Sequence, residues 1–266
     1  MLARRHKVPR LALGFVVLLA GACAHSSHVT FSGDPKFGKT AEEDYKAGED
    51  ELEGHHYDIA SKFFEHVRLK YPFSKYAALA DLAIADVKFK SGHYIEAADA
   101  YQQFTKLHPN HDEAGYAAYQ VGASHLKEAP SNFFILPPAE EKDLTQVREA
   151  VKALDAFLKK YPTSKYRPDA EKELAQGRSL LTAHEWYVID FYRKRNRWPG
   201  VAARLEALIK DYPGDPREPE ALYDLAEAYL KLDERFRAQQ ALQQLIVRYP
   251  GDKERPRAER LLASLR

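Results

Sequence analysis

The sequence predicts an all-α fold in which about five helix pairs stack into a solenoid. One observation is a repeated motif, because KYPFSKY begins at Lys70 and KYPTSKY at Lys160. The other is that such aromatic-Pro pairs recur after apolar helical patterns, where proline ends a helix because it has no amide hydrogen. Intervals of 37, 53, 51 and 37 residues between them are typical of a helical repeat. The prolines are Pro72, Pro109, Pro162, Pro213 and Pro250.

Residues at fixed distances before each proline define one apolar helix face. A small residue stands twelve positions before the proline, and larger apolar residues stand eight and five positions before it. Steps of four and three residues return to the same side of a helix, so each unit's second helix carries an apolar stripe. These positions are Ala60, Phe64 and Val67; Ala97, Tyr101 and Phe104; Ala150, Leu154 and Phe157; Val201, Leu205 and Leu208; Ala238, Leu242 and Leu245.

The first helices of the first two units end in Gly-His before an aromatic residue. Glycine adopts the left-handed backbone conformation that closes many helices without a steric penalty. Gly54 and Gly92 are therefore predicted to be left-handed C-terminal caps.

Residues 1–22 have the features of a lipoprotein signal peptide. Four basic residues lie among the first ten, and a ten-residue apolar run, too short to span a bilayer stably, is followed by small residues. Ala20, Gly21 and Ala22 precede Cys23 and resemble the bacterial lipobox, although that motif usually has Leu where Ala20 stands. We predict that Cys23 is lipidated, that residues 23–39 form a flexible tether, and that Ala24, which is not Asp, favours the outer membrane.

Composition argues against several classes of function. Cys23 is the only cysteine, so no intrachain disulfide can form. Lys and Arg number 40 against 39 Asp and Glu, and loss of residues 1–22 would remove four basic and no acidic side chains. This balance provides no basic face for nucleic acid. No metal-ligand spacing or catalytic motif is found. We expect a non-enzyme without metal or cofactor, apart from the covalent lipid.

Residues 40–266 are predicted to form the repeat domain, which ends in a C-terminal capping helix. The third unit contains an insert, residues 129–143, whose prolines exclude a helix. Its apolar run FFIL either folds back over the solenoid or docks onto a partner. The predicted units are 41–75, 76–112, 113–165, 166–214 and 215–252.

The fourth unit departs from the others in two ways. Its first helix is predicted to be long, at about residues 168–195, with an aromatic outer part. Nine residues before its proline stands Arg204, where the other units have Phe63, Ala100, Ala153 and Ala241. A guanidinium at a helix-packing position needs a carboxylate or an opening to solvent. Arg204 is therefore predicted either to pair with a carboxylate of the long helix or to bind an acidic group of a ligand.

The helix pairs resemble the tetratricopeptide repeat. Longer blocks, YPFSKYAALADLAIA, YPTSKYRPDAEKEL and above all EWYVIDFYRKRNRWPGVAARLEALIKDYP, resemble the BamD (YfiO) family of outer-membrane lipoproteins over residues 23 to about 250. That resemblance implies a periplasm-facing adaptor of the β-barrel assembly machinery. Its C-terminal units would bind the barrel subunit BamA, alongside other assembly lipoproteins, and its N-terminal units would recognise C-terminal signals of unfolded outer-membrane proteins.

By position, the resemblance implies that Tyr71 and Arg204 contact the substrate peptide. Phe133, Phe134 and Trp198 are candidate partner contacts. The alternative is another periplasmic repeat protein, such as a CpoB-like coordinator of the Tol-Pal system or a peptidoglycan-enzyme adaptor. CpoB-like chains place a coiled-coil segment before the repeats, whereas residues 24–39 are too short and unpatterned to form one.

Overall fold

The structure is a computed structural model that describes residues 35–130 and 142–265. Within these two ranges the chain forms eleven α-helices and no β-strand, which confirms the predicted all-α class. None of the helices in the described ranges is long and apolar enough to cross a membrane.

Ten of the described helices form five consecutive pairs, and each helix packs on the next one along the chain. The first helices of the pairs are α1 (Ala41–Glu53), α3 (Lys75–Lys90), α5 (Ala114–Lys127), α7 (Arg167–Lys194) and α9 (Glu218–Lys231). The second helices are α2 (Tyr57–Lys70), α4 (Tyr94–Leu107), α6 (Thr145–Lys160), α8 (Trp198–Asp211) and α10 (Arg235–Arg248). A final helix, α11 (Arg255–Ser264), packs on α10.

Every second helix ends immediately before a Tyr-Pro or His-Pro pair. Tyr71 leaves α2 with φ −126° and ψ 53°, and its N–H donates the last helical hydrogen bond to the Val67 carbonyl. Proline disfavours the helical conformation in the residue before it, so the helix stops there. The equivalent residues, with φ between −124° and −127°, are His108, Tyr161, Tyr212 and Tyr249.

The predicted apolar stripe is the core of the solenoid. All fifteen of its positions are buried, with at most 3% of any residue exposed. A single helix pair could not cover this stripe, whereas stacked pairs bury it between neighbours. The core therefore depends on the array of pairs.

The prediction of left-handed caps is confirmed at Gly92, which has φ 86°, and wrong at Gly54, which has φ −71°. The left-handed residue of the first pair is His55, with φ 61°. His55 and Gly92 both lie 17 residues before their prolines, as do Asn196 and Asp233, which are also left-handed. The left-handed residue therefore stands at a fixed distance before the start of the second helix. Gly54 lies one residue before that position, which His55 occupies.

Residues 35–39, which the sequence placed in the flexible tether, lie against the first helix pair. Phe37 stacks on His66 of α2 with ring centroids 3.9 Å apart, and the Gly38 N–H donates to Asp44 Oδ1 at 2.5 Å. A side chain at Gly38 would come within 2.8 Å of Glu43, so the backbone passes close to α1 here. This part of the chain belongs to the folded unit because Phe37 gains an aromatic surface to pack on.

Helix α7 connects two parts of the core. It has 28 residues and lies within one residue of the predicted long helix at each end. In its first third, Leu174 packs with Leu154 of α6, whereas Ile189, closer to its end, packs with Leu205 of α8. The extra length of α7 thus lets one helix pack on α6 with its first part and on α8 with its last part.

Ala97→Leu is expected to lower the free energy of unfolding by about 1 to 3 kcal/mol, because added carbon atoms have no space at a fully buried helix contact. Ala97→Ser should be better tolerated. Ala156→Leu makes the same change at an exposed position of α6 and should cost little. Equal losses from the two leucine variants in denaturant titrations would show that the helix face is assigned wrongly.

Candidate functional site

Tyr71 is half-buried at the boundary between the first and second helix pairs. Its ring packs against the core of the first pair and meets the ring of His66 edge-on, with centroids 5.9 Å apart. The Tyr71 backbone closes α2 in the same way as the four equivalent residues close their helices. The structure therefore gives Tyr71 a packing role and leaves part of its ring accessible.

Arg204 is exposed, which corrects the expectation that it occupies a helix-packing position. Its Nη1 lies 3.2 Å from Glu185 Oε2 on α7, so the structure contains the predicted ion pair with a carboxylate of the long helix. The Arg204 side chain is 44% exposed and that of Glu185 only 19%. An ion pair this open to water contributes little to the free energy of folding. Because much of the Arg204 side chain faces solvent, a second carboxylate can also reach it.

Trp198 begins α8 and lines a pocket of about 360 Å³ near the C-terminal end of the array. The walls combine apolar and charged side chains contributed by α7, α8, α9 and α11. Gly200 lies so close to Tyr192 that a side chain there would come within 2.8 Å of its ring, which lets α8 approach α7. The other lining residues are Arg193, Val201, Asp224, Glu227, Leu230, Lys231 and Leu261.

An ion pair lies in the wall of this pocket. Arg193 Nη2 donates to Asp224 Oδ2 at 2.5 Å, and Arg193 also pairs with Asp190 at 3.2 Å. Burial raises the pKa of Asp224, and Arg193 opposes that effect. The pocket therefore offers a partner both an apolar surface and a fixed carboxylate beside a guanidinium.

Three predicted site residues, Cys23, Phe133 and Phe134, lie outside the described residues. The described ends of the insert are near one another, because Leu144 is buried in a small cluster on which Ala129 packs. Tyr71 and Arg204 belong to different parts of the array, since Tyr71 packs on the first pair and Arg204 lies on α8. They can serve one ligand only if that ligand extends along several helix pairs.

Reasoning from the sequence missed a half-buried carboxylate that joins three helices. Asp86 of α3 accepts hydrogen bonds from the hydroxyls of Tyr101 on α4, at 2.5 Å, and Tyr116 on α5, at 2.8 Å. Burial raises the pKa of Asp86, and it also raises the pKa of both tyrosines. No spacing in the sequence marks this group, because its partners are 15 and 30 residues away.

A series of tyrosines continues from this group along the first helices. Tyr166, just before α7, lies 5.4 Å from Tyr116 and stacks on Tyr119 at 5.3 Å. The Tyr119 hydroxyl donates to Glu173 at 3.1 Å. Tyr76 in the first copy of the duplicated motif, which lies 5.4 Å from Tyr45, is the counterpart of Tyr166. The motif therefore contained a signal for this series.

Across the described ranges, no group of three or more His, Cys, Asp or Glu side chains is placed to hold a metal ion. His108 instead lies 3.1 Å from Asp81, and His111 Nδ1 accepts the Glu113 N–H at 3.1 Å. The first contact ties the turn before α5 to α3, and the second lies within the turn.

Residues 38–245 match the sequence model of the YfiO family, described as outer membrane lipoproteins. The outer membrane protein assembly factor BamD of Neisseria meningitidis serogroup B is 29% identical over 219 residues, which are 82% of each chain. BamD of Neisseria gonorrhoeae is 30% identical over 71% of this chain and 72% of its own. For BamD of Xylella fastidiosa, the 27% identity covers 68% of this chain but only 63% of the relative.

Among solved structures, the chain is similar in fold to the TPR2AB-domain:pHSP90 complex of yeast Sti1, with a TM-score of 0.40 and 15% identity over 85% of this chain and 82% of that one. It is also similar to YrrB, a TPR protein with an unusual peptide-binding site. The TM-score is 0.37, and the 15% identity extends over 83% of this chain and 92% of YrrB. These similarities concern the fold alone. The family match includes α1 and continues into α10, covering most of the described helices. The chain belongs to the YfiO family of outer membrane lipoproteins.

Proposed function

We propose that, within the role in outer-membrane protein assembly that its family supports, this chain is a lipid-anchored adaptor on the periplasmic side of the outer membrane. It binds a BamA-like barrel subunit and other assembly lipoproteins, and it recognises the C-terminal signals of unfolded outer-membrane proteins. The observation that carries this proposal is the family match over residues 38–245. That match favours the adaptor over the Tol-Pal coordinator and the peptidoglycan-enzyme adaptor.

The Trp198 pocket supports partner binding by the C-terminal helix pairs. Protein interfaces are strongest where an aromatic or arginine anchor fills a pocket with few exposed charges around it. Here the apolar wall of Trp198, Val201 and Leu261 stands beside the Arg193–Asp224 pair. A partner loop with one apolar side chain and one hydrogen-bonding group fits this combination.

Stacked helix pairs support recognition of an extended peptide, because a solenoid offers a binding surface that runs along several repeats. A barrel signal strand alternates aromatic residues and ends in a carboxylate. The exposed guanidinium of Arg204 suits that carboxylate, and the accessible part of Tyr71 suits an aromatic side chain. The chain would act as a scaffold in this process and would catalyse no reaction.

Tyr71→Ala and Arg204→Ala are each expected to weaken binding of a synthetic barrel C-terminal peptide, measured by fluorescence anisotropy. Tyr71→Phe should bind almost normally because it keeps the ring. Arg204→Lys should recover only part of the affinity, because an ammonium lacks the planar fork of the guanidinium. The melting temperature should change little for the Arg204 variants, because their ion pair with Glu185 is exposed.

The matched control is Arg178→Ala, which removes another half-exposed arginine of an ion pair, 3.5 Å from Asp155. It should leave peptide affinity unchanged. Loss of stability with unaltered peptide affinity would assign Tyr71 and Arg204 to the scaffold. Purification from membranes that recovered Tol proteins in place of a large β-barrel protein would contradict the adaptor role itself.

A further inference from the structure

Three exposed apolar side chains lie together at one end of the first helix pair. Leu69 is 74% exposed, Phe73 is fully exposed and Phe37 is 42% exposed. Large side chains of this kind are usually buried, and a group of them on a surface marks an interaction site.

Contacts with His66 and positions along the chain place these side chains on one surface. Phe37 stacks on His66, and Leu69 follows His66 by three residues, so both lie on the same face of α2. Tyr71 meets His66 edge-on, and Phe73 follows Tyr71 in the turn after α2. We call residues 35–40 and 66–76 the N-terminal edge.

The N-terminal edge is basic. Its two segments contain five Lys or Arg residues and no Asp or Glu. Three acidic residues of α1 reach it: Asp44 is buried and pairs with His66, Glu43 accepts the Lys39 N–H, and Glu42, which pairs with Lys46, also hydrogen-bonds Tyr76 beside Lys75. Asp81 lies 3.8 Å from Arg68 and also contacts His108, so it neutralises Arg68 only in part. The five residues are Lys36, Lys39, Arg68, Lys70 and Lys75.

The chain that leads to the proposed lipid anchor enters the folded unit at this edge. Pro35 is twelve residues after Cys23. Twelve residues reach at most about 43 Å when fully extended, and a flexible chain of that length has an end-to-end distance of about 19 Å. A lipid on Cys23, which is part of the proposed function, would therefore hold the N-terminal edge close to the bilayer surface.

We propose that the N-terminal edge is a second membrane contact, which places Leu69 and Phe73 in the interfacial region and binds anionic phospholipid headgroups through its basic side chains. Apolar residues beside Lys and Arg are the combination found where proteins lie on membrane surfaces. The anchor makes this second contact intramolecular and strengthens it beyond its own affinity for a bilayer, which the vesicle tests below measure. The contact would set the orientation of the first helix pair to the membrane.

The first test uses residues 24–266, which contain no cysteine and keep every helix of the described structure. An environment-sensitive dye is attached to Phe73→Cys, and vesicles of phosphatidylcholine are compared with vesicles that also contain phosphatidylglycerol. We expect the emission of the dye to shift to the blue with the anionic vesicles. Val247→Cys, labelled at another exposed apolar residue, 77% accessible and near the other end of the array, should show no shift.

The second test measures vesicle binding by co-sedimentation. Lys70→Gln combined with Lys75→Gln is expected to weaken binding at least about tenfold, since each basic residue near an anionic surface contributes a factor of about five. Leu69→Ser combined with Phe73→Ser should also weaken it. Lys152→Gln with Lys159→Gln, at exposed positions of α6, is the control and should not. Circular dichroism should show the same helix content in all variants.

Two results would overturn the proposal. One is that anionic vesicles shift the dye emission equally at positions 73 and 247, which includes no shift at either position. The other is a shift at position 73 with a barrel C-terminal peptide but not with anionic vesicles, which would assign the edge to peptide recognition. Because the test chain lacks the lipid and the barrel partner, its failure would leave the adaptor function and the Cys23 anchor untouched.

Discussion

Cys23→Ser is expected to move the protein from the membrane fraction to the soluble fraction. The lipid proposed for Cys23 would supply the stable attachment, because Cys23 directly follows Ala20, Gly21 and Ala22, which resemble the lipobox. One acyl chain binds only marginally, but a lipoprotein carries more than one, so wild-type protein should stay with membranes through a high-salt wash. Fractionation followed by immunoblotting measures the distribution, and Ser26→Ala, three residues further along, should behave like wild type.

The salt wash separates the anchor from the N-terminal edge. Electrostatic attraction to anionic headgroups is screened within about 3 Å at 1 M salt, so the edge alone should not hold the protein there. A Cys23→Ser variant that remained in washed membranes would show that the anchor lies elsewhere. Wild-type protein in the soluble fraction would equally contradict lipidation.

Asp86→Ala is expected to lower the free energy of unfolding by about 3 kcal/mol. The change removes the carboxylate that accepts two tyrosine hydroxyls, and the Tyr101 side chain is fully buried, so water cannot replace this acceptor. Urea denaturation followed by circular dichroism gives the magnitude. Asp99→Ala, at an exposed position of α4, is the matched control and should cost little.

Asp86→Asn should cost less than Asp86→Ala, because the amide oxygen still accepts a hydrogen bond. Because Asn does not titrate, comparing wild type with Asp86→Asn at several pH values also isolates the contribution of this carboxyl to the pH dependence of stability. Because its pKa is raised on folding, the native state binds the proton more tightly, and the stabilisation from Asp86 falls as pH rises from its usual pKa of 3.8 through the raised value. The advantage of wild type over Asp86→Asn should therefore be largest in acid. An advantage that grew as pH rose would contradict the assigned burial.

The sequence by itself determined where the second helices end and which of their faces is buried. Both are local properties: a proline stops the helix behind it, and residues such as Ala97 and Phe104 share a face through the geometry of one helix. It also indicated the length of α7, because its apolar pattern continues without a proline beyond Pro168 at its start. These features require no knowledge of which helices are neighbours.

Only the tertiary structure decided which surroundings each side chain meets. Asp86 contacts Tyr101 and Tyr116 because α3, α4 and α5 pack together. The periodicity within each helix does not specify these contacts between helices. Arg204 occupies an apolar offset yet reaches solvent, because α8 packs against the far part of α7, where Glu185 receives it. Phe37 likewise packs because Phe63 and His66 lie where the incoming chain passes. A sequence pattern identifies the buried face of a helix, whereas the partner of a polar or aromatic side chain depends on contacts between residues distant in the chain.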